Sequence, residues 1–391
     1  MPLEHDLLHR VDSLQQALRS NKMPTAIFLG AGCPTALKDE DGTPLIPSID
    51  GLTASCLEQL QTACKEPTDS IVGKLTADGV AAPNIERLLS EIRGLLSVVG
   101  SGEAFGLTKD SLQKLEGAIC EHIAKTMDKE LPQAETPYEM LGKWIGAVQR
   151  ASPVEIFTPN YDLLVEQALE NARIPYFDGF SGARQAFFDA HAVENDDLPA
   201  RWVRLWKLHG SVNWFLDGDG SVFRCTQPGN YSCRLIHPSH LKYDESRKMP
   251  YFALLERMRH FLLRSRSLMV VCGYSFRDQH LNDCICDALR ANPSGSTVFG
   301  LLYGELADYP EALALATEVG NLVLLATNEG VVGRGRGTWL ETEPDDSDAW
   351  AHVLAWQEHR PSLLLGDFAA FGGFLRDVVG SSQPIGAADE G

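Results

Sequence analysis

Basic residues are scarce in this chain: 34 Lys and Arg stand against 53 Asp and Glu, a formal net charge of -19. A long phosphate backbone would be repelled by most of such a surface, which argues against direct nucleic-acid binding. A small dinucleotide is not excluded, because a helix amino terminus and a few local donors outweigh distant charge. Long apolar runs are missing too; none approaches the ~20 residues that span a bilayer. The opening M-P-L-E-H-D-L-L-H-R is too polar for a secretory leader, so the expected location is the cytoplasm, away from any membrane. No C-x-x-C pair occurs among the nine cysteines, and Cys225 with Cys233 and Cys284 with Cys286 have the wrong spacing for a zinc ribbon. No structural zinc is expected, and an odd cysteine count without a leader favours reduced thiols, most of them small buried apolar residues.

What the chain does have is apolar bulk, with 44% of 391 residues hydrophobic. That suffices for a large core in two or three units of roughly 100 to 200 residues each, or for one sheet with a sizeable insertion. Leu7, Leu8, Val11, Leu14 and Leu18 recur at helical spacing and predict an amphipathic lead-in helix. P-T-A-I-F-L-G-A-G (Pro24 to Gly32) then reads as a strand ending in a glycine turn. From about Gly51 to Gln149 the periodicity is helical, punctuated at Pro83-Asn84 and Thr136-Pro137. About a hundred helical residues are too many for one crossover, which predicts an inserted helical subdomain.

Strands resume with V-E-I-F-T-P-N-Y-D (Val154 to Asp162), followed by a helix near Asp162 to Ala172, and with W-V-R-L-W-K-L-H-G (Trp202 to Gly210). Residues 178 to 200 read as loop. Apolar runs flanking D-G-D-G after Val212 predict a hairpin. Helix and strand then alternate over Tyr251 to Arg264, Ser267 to Cys272, His280 to Leu289, Thr297 to Tyr303 and Asn321 to Thr327. The expected fold is therefore α/β: a Rossmann-like, mostly parallel sheet with an inserted helical subdomain and a small hairpin, and no zinc module. G-R-G-R-G (Gly333 to Gly337) and the acidic stretch after it read as loop, and the tail after Gly380 as disorder. The expected organisation is 1–50 for the first part of the Rossmann-like domain, 51–150 for the insert, 151–340 for the remainder and 341–391 for a C-terminal extension.

Four strands thus end in polar loops, where open α/β sheets bind ligands. Gly30 and Gly32 would let the backbone turn tightly and approach a pyrophosphate, with the next helix offering its unpaired amides. Taken alone G-A-G is a weak signal, because the full G-x-G-x-x-G is absent and Ala36 stands near the third position. Asn160 could orient a water or a ribose hydroxyl with Asp162 in support, but N-Y-D alone reads more readily as an Asx-turn capped by Asp162. Histidine is the side chain suited to proton transfer near neutrality, although a lone histidine such as His209 beside a glycine is more often structural.

Combination changes the balance. G-A-G, T-P-N-Y-D, K-L-H-G-S, G-Y-S-F-R-D and T-N-E-G (Thr327 to Gly330) close successive strands in this order. The series, over about residues 24 to 330, resembles the sirtuin family of NAD-consuming proteins. The resemblance implies that Gly30, Ala31 and Gly32 hold the NAD phosphates and adenosine ribose. It implies that Asn160 and Asp162 line the nicotinamide pocket, and that His209 is the general base acting on the nicotinamide ribose. Gly273, Ser275 and Asn328 would contact the adenosine half. Where the family usually has serine this chain has Pro34, with Thr35 as the substitute phosphate contact.

Protein-deacylating sirtuins carry a four-cysteine zinc module and a peptide clamp after the histidine loop; here that space holds the hairpin and R-L-I-H-P-S-H-L-K (Arg234 to Lys242). The pattern looks like the zinc-free sirtuin-like proteins of bacterial antiphage defence, which hydrolyse NAD to nicotinamide and ADP-ribose. In that branch a partner activates the chain, such as a HerA-type ATPase, an Argonaute or a fused sensor. With no sensor domain here, a separate partner is implied, and homo-oligomerisation is expected from the extra apolar helix surface. The alternatives are an NAD-dependent protein deacylase and a non-catalytic module that senses NAD or ADP-ribose.

Overall fold

The computed structural model describes residues 3–39, 41–216, 221–225, 250–342, 352–357 and 359–380. The chain opens with β1 (Glu4–His5) and α1 (Leu7–Arg19), the latter capped by Asp6 and burying Leu7, Val11, Leu14 and Leu18. β2 (Thr25–Leu29) enters the sheet, and α2 (Gly32–Thr35) is one turn. Four longer helices follow before the next sheet strand: α3 (Ile49–Ala63), α4 (Lys65–Ala77), α5 (Ile85–Val98) and α6 (Lys109–Met127). They are interrupted by a short ribbon of β3 (Glu103–Ala104) and β4 (Leu107–Thr108). Asn84 caps α5 through the Arg87 amide, so the Pro83-Asn84 punctuation is a true helix start. α7 (Pro137–Ala147) begins with a capping box between Thr136 and Glu139 and packs beside the sheet on the C-terminal helix.

The remaining sheet strands are β5 (Glu155–Thr158), β6 (Tyr176–Phe177), β9 (Val203–Lys207), β12 (Ser267–Cys272), β13 (Ser296–Leu301), β14 (Leu322–Leu325), β15 (Glu329–Val332) and β16 (Gly335–Trp339). α8 (Leu164–Asn171) follows β5, while α10 (Tyr251–Leu262), α11 (Gln279–Ala291) and α12 (Pro310–Glu318) alternate with the later strands. The sheet order is β1-β16-β15-β14-β13-β12-β2-β5-β9-β6, in which only β15 runs against the others. This is the mostly parallel, Rossmann-like sheet that the alternation predicted.

Adjacent side chains on a strand face opposite sides. In β2, Ile27 and Leu29 join one core with α1, α7, α8 and the helical block, while Ala26 and Phe28 join a second core with α10, α11 and α12. Both faces are covered, which is why these strands read as continuous apolar runs. The chain moves from β2 through β5 to β9 on one side, then returns to place β12 on the other side of β2. β2 with β12 is therefore the switch point, where the carboxyl-end loops diverge and leave a crevice.

Two loop assignments need correction, and the C-terminal extension holds elements that were not assigned. Residues 178 to 200 contain β7 (Phe180–Ser181), β8 (Ala186–Phe188) and α9 (Ala190–Asn195). With β10 (Trp214–Leu216) and β11 (Val222–Arg224) these strands form a four-stranded antiparallel sheet, so the predicted hairpin is present but not isolated; its D-G-D-G turn lies outside the described residues. Second, G-R-G-R-G forms a two-residue hairpin turn and the start of β16. Gly333 (φ 58) and Arg334 (φ 74) supply the left-handed pair that such a turn requires, and β16 continues through Gly335 and Gly337 because Leu3, just before β1, and His5 of β1 lie where side chains would stand. The C-terminal stretch includes β17 (Leu354–Gln357), β18 (Arg360–Leu363) and α13 (Phe368–Gly380), whose Phe368, Phe371 and Phe374 are buried. The Arg234 to Lys242 stretch, most of the acidic segment and the tail after Gly380 lie outside the described residues.

Candidate functional site

β12, β2, β5 and β9 are immediate neighbours, so their carboxyl-end loops form one continuous rim. The first two interlock through backbone. Gly30 N donates to Cys272 O at 2.8 Å and Gly32 N to Gly273 O at 2.8 Å. A Cβ on Gly30 would overlap the Gly273 carbonyl, and one on Gly273, at φ 67, would stand 2.6 Å from Cys33 N. Glycine is required here so that two loops can touch. In this structure the amides of Gly30 and Gly32 are engaged between the loops, and α2 is a single turn. Ala31 stands exposed on the rim, and Thr35 donates its hydroxyl to Gly32 O at 2.8 Å.

The β5 loop ties to both neighbours. Thr158 Oγ1 donates to Leu29 O at 2.7 Å and receives the Asn160 amide at 3.1 Å. Asn160 Nδ2 donates to Gly30 O at 3.1 Å, which leaves Oδ1 as the acceptor end of the side chain. Asp162 Oδ1 receives the Leu164 amide at 3.1 Å, an Asx-turn leading into α8, whose N-cap is Leu163. Its Oδ2 is buried without a hydrogen-bond partner among the described residues. Burial pushes the Asp162 carboxyl up to about 6, against the charge of Lys207 and the Leu164 amide.

Lys207, at the end of β9 and 1% exposed, lies beneath this loop. Its ammonium pairs with Glu166 at 3.0 Å, donates to Tyr161 O at 3.4 Å and also reaches Asp162 O. Val212 N donates to Tyr161 O from the other side at 3.0 Å. The β5 and β9 loops are thereby laced at Tyr161 and Asp162, two residues past Asn160.

His209 projects from the β9 loop toward the β12 loop. Its Nε2 stands 3.1 Å from Asp278 Oδ2, while Asp278 Oδ1 receives the His280 and Leu281 amides at 2.9 and 3.2 Å as the cap of α11. Burial alone would raise the Asp278 carboxyl; the imidazole of His209 and the Leu281 amide more than offset it and hold it below the usual carboxylate range. Asp278 Oδ2 faces Nε2 without an aligned hydrogen bond, so a proton on Nε2 would be drawn toward it and would leave Nδ1 as the accepting nitrogen.

Glu86, in the first turn of α5, is half-buried and close enough for the charges of His209 and Asp278 to act on its carboxyl, with the Tyr161 hydroxyl nearby. Burial pushes its carboxyl up, the His209 imidazole and Tyr161 hydroxyl draw it down, and Asp278 adds to the rise. The buried Tyr161 hydroxyl lies beside Glu86 without an aligned hydrogen bond.

Sequence reading gave no roles to Lys207, Asp278 or Glu86. The first two stood within motifs already singled out, K-L-H-G-S and G-Y-S-F-R-D. Glu86 had no local signal, because only the packing of α5 across the rim brings it there. Ser275 is exposed on the β12 loop, in the same rim. Asn328 is set apart: it lies between β14 and β15, with β13 intervening before β12. Its Nδ2 donates to Glu305 at 2.7 Å and its Oδ1 receives Ser362 at 3.0 Å, so both ends of the amide are engaged by the protein.

Among the described residues, no group of three or more His, Cys, Asp or Glu is placed to hold a metal, and no helix is long and apolar enough to cross a membrane. Residues 154–318 match the family model of the SIR2-like domain, a stretch running from β5 to α12 that includes Asn160, Asp162, His209, Gly273 and Ser275. The match supports a sirtuin-like family and suggests an NAD-dependent enzyme. No curated protein matches the chain.

Proposed function

We propose that this rim binds NAD and hydrolyses its nicotinamide glycosidic bond to nicotinamide and ADP-ribose. The observation that carries the reading is convergence. An asparagine with a free acceptor end, a carboxylate with an unsatisfied buried oxygen and a histidine held by a second carboxylate meet at adjacent strand ends, beside the switch point. The unsatisfied Asp162 Oδ2 fits the nicotinamide ligand, since a carboxamide N–H would pair it.

NAD supplies a cationic leaving group, so cleavage passes through an oxocarbenium-like centre and needs little acid assistance. The C1′–N bond breaks with its electrons passing to the pyridine nitrogen, and a water oxygen bonds to C1′ in its place. Asn160 positions that water through Oδ1. His209 takes the water proton at Nδ1, and Asp278 stabilises the imidazolium that results. Asp162 holds the carboxamide, and Lys207 keeps the loop carrying Asn160 and Asp162 in register with β9.

The wider part of the reading rests on the sequence: the zinc-free motif pattern for NAD depletion in antiphage defence and activation by a separate partner such as a HerA-type ATPase, and the extra apolar helix surface for a homo-oligomer. The deciding experiment is chromatographic quantification of nicotinamide and ADP-ribose after incubating NAD with wild type, His209→Ala and Asn160→Ala, with no peptide present. Both products from wild type, and at least ~100-fold slower release in each variant, are expected. Products that require an acyl-lysine peptide would move the assignment to a deacylase. Measurable NAD binding without turnover would move it to a sensing module.

A further inference from the structure

The buried face of α11 is apolar, formed by Leu281, Ile285, Cys286, Ala288 and Leu289, except at Asn282. A side-chain amide only 2% exposed is costly to bury unless both its ends are bonded, and here both are. Asn282 Nδ2 donates to Phe276 O at 2.6 Å, and the Tyr274 hydroxyl is shared between Asn282 Oδ1 at 2.9 Å and Asp278 O at 3.1 Å. These partners all lie in G-Y-S-F-R-D, so one side chain grips the β12 loop at two points. Phe276 is left-handed at φ 57, a conformation that a bulky residue keeps only where its surroundings hold it. The turn sets the Phe276 ring inward, with its centroid 4.8 Å from that of Tyr274, and leaves Ser275 and Arg277 exposed. Two residues further on stands Asp278. Its carbonyl also receives the Asn282 backbone amide at 3.0 Å, and its Oδ1 receives the His280 and Leu281 amides, so Oδ2 is the atom left to face His209 Nε2 at 3.1 Å.

Resting on the NAD hydrolase reading, we infer that Asn282 is a positioning residue: through Phe276 O and the Tyr274 hydroxyl it fixes the loop backbone that aims Asp278 Oδ2 at His209. Asp278 stabilises the imidazolium from a set distance and direction, and a carboxylate held there beforehand does so without rearranging as the charge forms. The cap on α11 fixes the Asp278 carboxyl relative to its own helix, and Asn282 fixes the chain that enters the helix. Without the amide, Phe276 is free to leave the left-handed region, and the peptide units on either side of it turn, carrying Asp278 with them. The far end of the loop is held separately, by Gly32 N on Gly273 O, so the disturbance falls on the end that faces His209.

The test uses the full chain with Asn282→Leu, which removes both side-chain bonds and keeps the volume, and Tyr274→Phe, which removes only the hydroxyl. Each is also combined with Asp278→Asn, a change that keeps the helix cap and takes away the charge. The control on the same helix is Arg290→Gln, whose partners Asp287 and Glu318 lie at the far, exposed end. Steady-state NAD hydrolysis is measured together with the 15N signals of the His209 ring, identified by their loss in His209→Ala. Asn282→Leu is expected to lower kcat by about 10-fold or more, and Tyr274→Phe by less. In the Asp278→Asn background either change should cost no more than about 2-fold, because the group it positions is already gone. The His209 ring signals should move in Asn282→Leu and Tyr274→Phe and stay in place in Arg290→Gln, which should turn over NAD as wild type does. If Asn282→Leu does not fold, Tyr274→Phe decides by the same criteria. An unchanged kcat, equal losses with and without the Asp278 charge, unmoved ring signals, or a matching loss in Arg290→Gln would overturn the inference. If no protein turns over NAD, the hydrolase reading falls, and the ring signals still decide whether Asn282 sets Asp278 against His209.

Discussion

Replacing Asp162 by asparagine isolates the charge buried beneath the β5 loop. Asparagine keeps the shape of the side chain and the Oδ1 acceptor for the Leu164 amide, and it removes the ionisable group. In the wild type, burial raises this carboxyl from an ordinary 3.8 to about 6, with Lys207 the main opposing charge. Because the folded value lies above the unfolded one, the group's contribution to stability is complete below about pH 3.8 and is lost as pH rises through about 6. At 1.36 kcal/mol per pH unit, the full loss amounts to about 3 kcal/mol. Between pH 5.5 and 8, above the sequence pI of 5.0, roughly 1 kcal/mol of it remains to be lost. Urea unfolding of both proteins in identical buffers, followed by tryptophan fluorescence, should show the stability difference moving by that amount in favour of Asp162→Asn as pH rises. Taking the difference cancels other titrating groups, among them Asp178, which burial also raises to about 6. A difference that stays flat, or that moves in favour of the wild type, would show that Asp162 ionises as in water and that its unsatisfied oxygen is not buried.

Two further outcomes follow from the same rim. Gly30→Ala sets a methyl group against the Gly273 carbonyl, backbone that cannot swing away, and should cost at least ~2 kcal/mol in urea unfolding as well as NAD affinity by calorimetry. Stability equal to wild type would mean the loops are not interlocked. Lys207→Met leaves Glu166 buried without its cation and takes a donor from the Tyr161 and Asp162 carbonyls, a loss of about 3 to 5 kcal/mol. Adding Glu166→Leu should restore most of that stability without restoring turnover, and a double variant as unstable as the single would argue against a buried pair.

Much of this architecture was legible because strand and helix leave periodic marks. Ile27 and Leu29 against Ala26 and Phe28, Leu7 through Leu18 on α1, and the caps at Asn84 and Thr136 all act locally. The misread segments share one cause. β16 begins in glycines whose conformation depends on β1, formed more than three hundred residues earlier, and β7 and β8 are two- and three-residue strands stabilised by pairing with each other and with β11. Long-range pairing leaves little local trace. The site divides in the same way. Asn160, Asp162 and His209 each end a readable strand, whereas Glu86 arrives through helix packing and Asp278 is recognised only once His209 faces it. The freedom of the glycines serves loop-on-loop contact, which the motif alone does not reveal because its partner, Gly273, lies some 240 residues away.

The most direct test of the central claim is a crystal structure of this chain with a non-hydrolysable carbocyclic NAD analogue. The account predicts the nicotinamide carboxamide on Asp162 and the C1′ position between Asn160 and His209. Clear density for the analogue elsewhere on the protein, with the Asn160 to His209 rim unaltered, would contradict it.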